Sequence, residues 1–327
     1  MVQITELVNA TASIIADYRE GEIARPDAAH VEKWLAQFDE GVRAPLLIEL
    51  NHVLKKTYIS KAGVEQFLSN LVSHPKLGDG NPAGFWGGAR FLDIQKRGNS
   101  QREFLALFAV PLKQKTGLGV KQCGAQPACY IYLDDGLFTG MTLIESLTRW
   151  LKGDAPKECI LHVIVIAGHV GGKYYAETQL TKVAVAVGKQ IEFHWWAMLT
   201  LEDRKAYIDD SDVLRPTVLP NDARTMAYAA ALKYPPVFRT PGKVGHLEIF
   251  SGEEGRNLLE QQLLIKGAYI REVAPKLPQY ARPLGDMVLQ TLGFGSTFVT
   301  YRNCPNNTPL AFWCGNPWYP LFPRKTN

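Results

Sequence analysis

The chain has 327 residues, of which 46% are hydrophobic and 21% are charged, and its net charge at pH 7 is +4. This composition is ordinary for a globular protein with one large core, or one core with attached smaller units. The mild positive charge disfavours a protein that holds nucleic acid by electrostatics alone, because such a protein would carry a denser basic face. No apolar run approaches the roughly 18 residues of a membrane span, so we expect no membrane association.

Five cysteines occur, and none forms a Cys-x-x-Cys pair. This argues against both a disulfide framework and a structural zinc site. Residues 1–10 hold no basic stretch followed by an apolar one, so no secretory signal is expected. We therefore expect a cytoplasmic protein.

The first part of the chain follows a helical period. Its clearest apolar stripe consists of Val31, Trp34, Leu35 and Phe38. The spacing i, i+3, i+4, i+7 after a Pro26-Asp27 start signal predicts an amphipathic helix, and similar stripes follow at 46–54 and 64–71. We predict a helical subdomain over residues 1–78. Its apolar faces fit a bundle packed on a main domain or a docking platform for another protein.

Beyond a Gly- and Pro-rich break at 74–88, strand and helix patterns alternate. Strands are predicted at 90–95, 130–133, 159–167 and 191–198, with helices at 100–112, 142–151 and 174–187 between them. This order predicts an α/β core at residues 79–203, with an open parallel sheet covered by helices. Residues 204–327 form a loop-rich C-terminal extension, in which a capping box at Ser251 to Glu254 predicts a helix to about Lys266.

One segment carries the elements of a sugar-phosphate loop. The apolar strand Tyr130–Leu133 is followed by Asp134 and Asp135, which can face sugar hydroxyls or a Mg²⁺ that bridges them. A turn into a helix comes next, where backbone N–H groups and the helix dipole favour a phosphate. The residues that would line the phosphate are Gly136, Leu137, Phe138, Thr139, Gly140, Met141 and Thr142. The simpler alternative is a strand whose acidic end merely caps a helix.

This series resembles the signature of the type I phosphoribosyltransferases: four apolar residues, two acidic ones, three small or apolar ones, then Thr-Gly-x-Thr. The resemblance covers about fourteen consecutive positions. It implies the open parallel sheet of that fold and the binding of phosphoribosyl pyrophosphate (PRPP) with Mg²⁺. Asp134 and Asp135 would then be the catalytic residues and would hold the metal, directly or through the ribose hydroxyls. Catalysis there depends mainly on positioning and on Mg²⁺ at the leaving pyrophosphate.

Two further strand ends are expected at the same crevice. The turn at the start of the predicted helix 100–112 offers Lys96, Arg97, Gly98, Ser100 and Gln101 for a pyrophosphate group. Donors placed there would stabilise the charge that builds up as pyrophosphate leaves, although such a basic turn is often plain exposed loop. At the next strand end, His169 and Lys173 are expected to contact the acceptor or pyrophosphate, or to be solvated. Within the strands, we expect His162 to be a hydrogen-bonded core residue and Trp195 and Trp196 to face opposite ways.

The whole chain resembles a family of phosphoribosyltransferase-like proteins encoded in bacterial antiphage defence loci, some beside retron reverse transcriptases or ATPases. The resemblance rests on the helix at 31–38, the Gly98–Gln101 turn, the loop at 130–143, and the tail motif Tyr301–Pro309. It implies a toxin or effector with a protein partner in a defence complex, and at most an indirect link to nucleic acid. The alternatives are a regulatory module that senses PRPP or nucleotides without catalysis, and a partner-docking subunit. In the tail, the Asn and Trp residues either contact a base or build turns and fill the core.

Overall fold

The computed structural model describes residues 3–78, 80–96, 99–274 and 276–324, which divide into two compact units. One unit combines the residues up to 61 with those from 202 onward, and the other comprises 62–201. The sequence predicted breaks after residues 78 and 203. In the structure the two ends of the chain share one unit, because helices from both ends pack on each other.

The elements follow one another in a mixed order. In the first half of the chain they are α1 (Ile4–Ile14), α2 (Ala28–Leu35), α3 (Glu40–Thr57), β1 (Tyr58–Ile59), α4 (Lys61–Val72), α5 (Pro75–Gly78), α6 (Pro82–Gly87), β2 (Ala89–Phe91), α7 (Ser100–Thr116), β3 (Cys129–Leu137) and α8 (Met141–Lys152). They continue with β4 (Glu158–His169), α9 (Val170–Ala186), β5 (Gln190–Leu201), α10 (Ala223–Ala230), α11 (Glu253–Val273), β6 (Val299–Thr300) and α12 (Leu310–Trp313). No helix in the described ranges is long and apolar enough to cross a membrane.

The unit formed by residues 62–201 is built on a four-stranded sheet in the order β2-β3-β4-β5, and all its neighbouring strands are parallel. Parallel neighbours require crossover connections, which here are α7, α8 and α9. One face carries a core in which Tyr132 of β3, Leu147 of α8, Val163 of β4 and Leu180 of α9 are buried together. The predicted open parallel α/β sheet is confirmed.

The other face of β4 and β5 carries a cluster of rings. His162 is 5% exposed, and its Nδ1 accepts a hydrogen bond of 3.0 Å from Nε1 of Trp196. The ring of His194 lies 5.0 Å from that of His162, and Glu192 accepts from His194 at 2.6 Å. Burial, with a smaller effect of His194, lowers the pKa of His162 to about 4. His162 is therefore the hydrogen-bonded core histidine that the strand pattern predicted.

Acidification to pH 4 is expected to destabilise the chain by about 3 kcal/mol through His162. The folded imidazole has a pKa of about 4 and the unfolded one about 6.5, so the unfolded state takes up the proton first. This contribution is intact above pH 6.5 and is lost as the pH falls toward 4. Urea unfolding across this range should show a weaker pH dependence in His162→Gln, whose amide oxygen can still accept from Trp196. His246→Gln, at an exposed position, is the control, and equal pH dependence in all three proteins would contradict the assignment.

In the other unit, the predicted helix after Asp27 is confirmed as α2. The Asp27 carboxylate accepts from the backbone N–H of His30, and the apolar stripe of Val31, Trp34, Leu35 and Phe38 is buried. The capping box predicted at Ser251 is wrong: α11 begins after Gly252 without a side-chain cap. The backbone N–H and the hydroxyl of Ser251 donate instead to the buried Glu49 of α3. Ser251 therefore bonds Glu49, 202 residues away in the sequence, and not the neighbouring Glu254.

A buried cluster of charges lies within the same unit. Glu260 of α11 is fully buried and accepts hydrogen bonds from Nη1 of Arg256 at 2.6 Å and from the backbone N–H of Arg215 at 2.7 Å. A second guanidinium nitrogen, Nη2 of Arg239, lies 3.9 Å from the carboxylate. Burial raises the pKa of Glu260, while Arg256 and Arg239 oppose that rise. Arg239 and Arg256 also donate to the backbone carbonyl of Arg215, so the cluster fixes the chain at that residue.

The tail motif Tyr301–Pro309 organises a turn around Asp286. Nδ2 of Asn306 donates to Oδ2 of Asp286 at 2.8 Å, and Nδ2 of Asn307 donates to its backbone carbonyl at 2.9 Å. Trp313 and Trp318 are buried, and each donates its ring N–H to a backbone carbonyl. Of the two predicted alternatives, the structure shows the one in which the amides build turns and the aromatic rings fill the core.

Candidate functional site

The acidic pair lies in the last part of β3. The ladder to β4 continues past it, since Gly136 pairs with Ala167 and Leu137 with Gly168. The strand therefore ends four residues later than the apolar run predicted. Successive side chains of a strand point to opposite faces, and the two carboxylates therefore differ in environment. Asp134 is 6% exposed, whereas Asp135 is half-buried.

Asp134 is held firmly by its neighbours. Its Oδ2 accepts from the Tyr132 hydroxyl at 3.1 Å, and its Oδ1 accepts from the backbone N–H of Asp135 at 2.9 Å. Burial first, and then the Asp134 carboxylate, raise the pKa of Tyr132, which also bonds Ser146 of α8. Tyr132 therefore remains a donor at all ordinary pH values. Sequence reasoning missed Tyr132 and Ser146, although Tyr132 lies two residues before Asp134 and thus on the same strand face.

The turn after β3 depends on two glycines. Gly140 has a φ of +78°, a left-handed conformation that side chains disfavour. A Cβ at Gly140 would lie 2.9 Å from the carbonyl oxygen of Gly172 in α9, and a Cβ at Gly172 would lie 1.7 Å from the carbonyl oxygen of Phe138. The turn therefore rests directly on the first turn of α9. The helix that was predicted to begin at about residue 174 begins earlier, since α9 starts at Val170.

The N-terminal ends of α8 and α9, which lie at this turn, suit an anion. Within the described residues, neither helix has a side-chain cap or an acidic residue in its first turn. The first backbone N–H groups of a helix have no partner inside it, and the helix dipole is positive at that end. Thr139 is half-buried, and Met141 and Thr142 are exposed. Together with Asp135, the turn provides acceptors for hydroxyl groups beside donors for a phosphate.

The loop between β2 and α7 is tied together by its own side chains. Oε1 of Gln101 accepts from the backbone N–H groups of Ile94 and Gln95. Oε1 of Gln95 accepts from the backbone N–H of Gln101 and from the hydroxyl of Ser100. Lys96 is exposed. The predicted contacts of Arg97 and Gly98 lie outside the described residues.

The third strand end is buried. His169 is fully buried, with Nδ1 at 3.2 Å from the carbonyl oxygen of Leu137 and its ring 5.0 Å from that of Phe138. His169 therefore packs against the residues that lead into the turn after β3. Lys173 extends its ammonium group to 5.9 Å from the ring of Trp195. Trp195 and Trp196 point to opposite faces of β5, as the alternation predicted.

The carboxylates of the site are few for a metal ion. Within the described ranges, no three His, Cys, Asp or Glu side chains form a group that could hold a metal ion. Mg²⁺, however, commonly uses one or two carboxylates, keeps several waters and takes further oxygens from phosphates. Asp135 fits that mode of binding, in which the substrate supplies the remaining ligands. Asp134 lies on the opposite strand face and is buried, with both of its oxygens bonded inside the protein.

The open parallel sheet and the turn after its second strand define an α/β protein of the phosphoribosyltransferase type. A protein-family model described as PRTase-CE matches residues 31–324. The chain belongs to this phosphoribosyltransferase-like family. No curated protein and no solved structure matches the chain.

Proposed function

We propose that the chain is a phosphoribosyltransferase-like enzyme that binds PRPP or a related nucleotide with Mg²⁺ and acts as an effector in antiphage defence. The observation that carries the ligand assignment is the turn at Phe138–Gly140. It follows the Asp134–Asp135 pair and leads into the uncapped start of α8. Family membership supports the fold of such an enzyme.

Each part of the site has a task in this proposal. The 5-phosphate accepts hydrogen bonds from backbone N–H groups at the start of α8. Asp135 accepts from the ribose hydroxyls, and Asp134, fixed by Tyr132 and the Asp135 N–H, holds that strand end in place. Bound Mg²⁺ would stabilise negative charge on the leaving group. Positioning lowers the barrier to displacement at the anomeric carbon.

The direct test is incubation with PRPP, Mg²⁺ and a panel of nucleobases, followed by measurement of released pyrophosphate. Release with at least one base supports the transferase. Ligand binding without turnover of PRPP or of any nucleotide supports the alternative, a sensing module. The hydrogen bonds between Gln95 and Gln101 favour that alternative. They occupy backbone N–H donors of the loop before α7 that could otherwise bind a pyrophosphate.

Asp135→Asn is expected to weaken the binding of ribose 5-phosphate about 10- to 100-fold, since a charge-assisted hydrogen bond contributes about 1.5–3 kcal/mol. Isothermal titration calorimetry measures the change. Glu145→Gln, which removes an exposed carboxylate of α8, is the matched control and should leave the affinity unchanged. Equal affinities in the wild type and both variants would show that Asp135 does not contact the ligand.

The effector role has its own experiment. Expression of the chain without neighbouring genes is expected to arrest bacterial growth, and Asp135→Asn is expected to relieve the arrest. Equal toxicity of both forms would show that this site does not cause the toxicity.

Partner docking, to an ATPase or a reverse transcriptase, has a separate test. It compares the proteins that co-purify with the wild type and with charge-reversed variants on the exposed face of α2, such as Glu32→Lys.

A further inference from the structure

A series of hydrogen bonds connects α8 with the acidic pair at the end of β3. The Ser146 hydroxyl donates to the Tyr132 oxygen, and the Tyr132 hydroxyl donates to Oδ2 of Asp134 at 3.1 Å. The other carboxylate oxygen of Asp134, Oδ1, accepts from the backbone N–H of Asp135 at 2.9 Å. We call Ser146, Tyr132 and Asp134 the hydrogen-bond series. It joins the second turn of α8, the helix whose start belongs to the proposed phosphate site, to the backbone at Asp135.

All three side chains of the hydrogen-bond series are buried. Tyr132 is 0% exposed, Ser146 is 2% exposed and Asp134 is 6% exposed. Burial raises the pKa of Tyr132, and the bond from Ser146 lowers it without reversing that rise, so the phenol keeps its proton and donates to Asp134. A buried carboxylate oxygen that lost this donor would be left unsatisfied, at the expense of stability. The series therefore favours one arrangement at the end of β3.

The two acids have different roles in this arrangement. Both oxygens of Asp134 are bonded inside the protein, and its side chain lies on the strand face that carries Tyr132, two residues earlier. Asp135 lies on the other face and is half-buried. The bond from the Asp135 N–H to the Asp134 side chain spans the peptide between the two residues, and it restricts rotation of the backbone that carries the Asp135 carboxylate. Such restriction matters because a misplacement of about 1 Å can lower a reaction rate about 100-fold.

We propose that Tyr132 and Ser146 are positioning residues of the sugar-phosphate site, which act through Asp134 to hold Asp135 toward the ribose hydroxyls. This inference rests on the proposed function, since it takes Asp135 as the group that accepts from those hydroxyls. It assigns Asp134 to the support of the site and not to contact with the ligand. The phosphate, bound by backbone N–H groups at the start of α8, does not need the hydrogen-bond series for its donors.

The test is calorimetric titration of the full chain by ribose 5-phosphate, with inorganic phosphate measured as its competitor. Tyr132→Phe removes only the hydroxyl and is expected to weaken the binding of ribose 5-phosphate about tenfold. The dissociation constant of inorganic phosphate, which has no ribose hydroxyls, should stay within about twofold of the wild-type value. Tyr130→Phe is the matched control, because Tyr130 lies on the same strand face and packs its ring on Trp150. It should bind both ligands as the wild type does.

The order of the hydrogen-bond series has its own test. Ser146→Ala is expected to weaken the binding of ribose 5-phosphate about threefold. Combined with Tyr132→Phe it should add no further loss, because Ser146 acts only through the Tyr132 hydroxyl. An additive loss of about 30-fold in the double variant would contradict that order. Urea unfolding of each variant checks the fold, and if Tyr132→Phe does not fold, Ser146→Ala decides by the same comparison of the two ligands.

Two results for Tyr132→Phe would overturn this inference and leave the proposed function standing. One is an unchanged affinity for ribose 5-phosphate. The other is an equal loss for inorganic phosphate, which would show that the substitution loosens the whole turn after β3. A wild type that does not bind ribose 5-phosphate would instead overturn the proposed function, and this inference with it.

Discussion

Gly172→Ala is expected to lower the free energy of unfolding by about 3 kcal/mol and to abolish ribose 5-phosphate binding. The new Cβ would lie 1.7 Å from the carbonyl oxygen of Phe138, about half of an ordinary contact distance. Either the turn at Phe138–Gly140 or the start of α9 must move, and both belong to the proposed phosphate site. Helix propensity alone predicts the opposite sign, since Ala is preferred over Gly inside a helix by about 1 kcal/mol.

Gly168→Ala is the matched control for this prediction. A Cβ at Gly168 would lie 3.5 Å from Cγ2 of Val165, which is an ordinary contact. We expect nearly unchanged urea unfolding and unchanged ribose 5-phosphate affinity. If Gly172→Ala proves as stable as the wild type and binds normally, the turn does not rest on α9 in solution.

Glu260→Ala is expected to lower the free energy of unfolding by about 3–5 kcal/mol, because it leaves buried guanidinium groups without their carboxylate. Arg256 is fully buried and bonds Glu260 at 2.6 Å. The backbone N–H of Arg215 would lose its acceptor as well. Urea or thermal unfolding of the purified variant measures the loss, and a low yield of folded protein has the same cause.

A control lies on the same helix. Glu272 of α11 pairs with Arg224 at 2.6 Å, but both side chains are more than half exposed. Surface pairs of this kind contribute about 0–1 kcal/mol, so Glu272→Ala should change stability little. The double variant Arg256→Met with Glu260→Leu should recover part of the lost stability, since a buried pair is often replaceable by apolar groups. The rest stays lost, because Arg239 and the backbone N–H of Arg215 still lack the Glu260 carboxylate. Equal losses in Glu260→Ala and Glu272→Ala would show that burial does not determine the cost.

Local patterns in the amino-acid sequence were sufficient to predict the architecture of the sheet and the position of the turn after β3. The alternation of strands and helices predicted the parallel order, because each parallel pair needs a helical crossover. The acidic pair Asp134–Asp135 and Gly140 were identifiable because the required elements follow one another within about a dozen residues. The start of α2 at Asp27 was equally readable, since a cap and its N–H partner lie three residues apart.

Contacts between distant residues were decided only in the folded chain. Nothing near Ser251 shows that its partner is Glu49 rather than Glu254, and nothing near Glu260 shows that its carboxylate accepts from Arg215, 45 residues earlier. Gln95 and Gln101 are closer in sequence, but their hydrogen bonds depend on the burial of Gln101, which the surrounding polar loop does not indicate. Burial makes an unpaired polar group costly, and burial is a property of the assembled core. For this reason the turn after β3 could be predicted from the sequence, while the hydrogen bonds between Gln95 and Gln101 in the neighbouring loop could not.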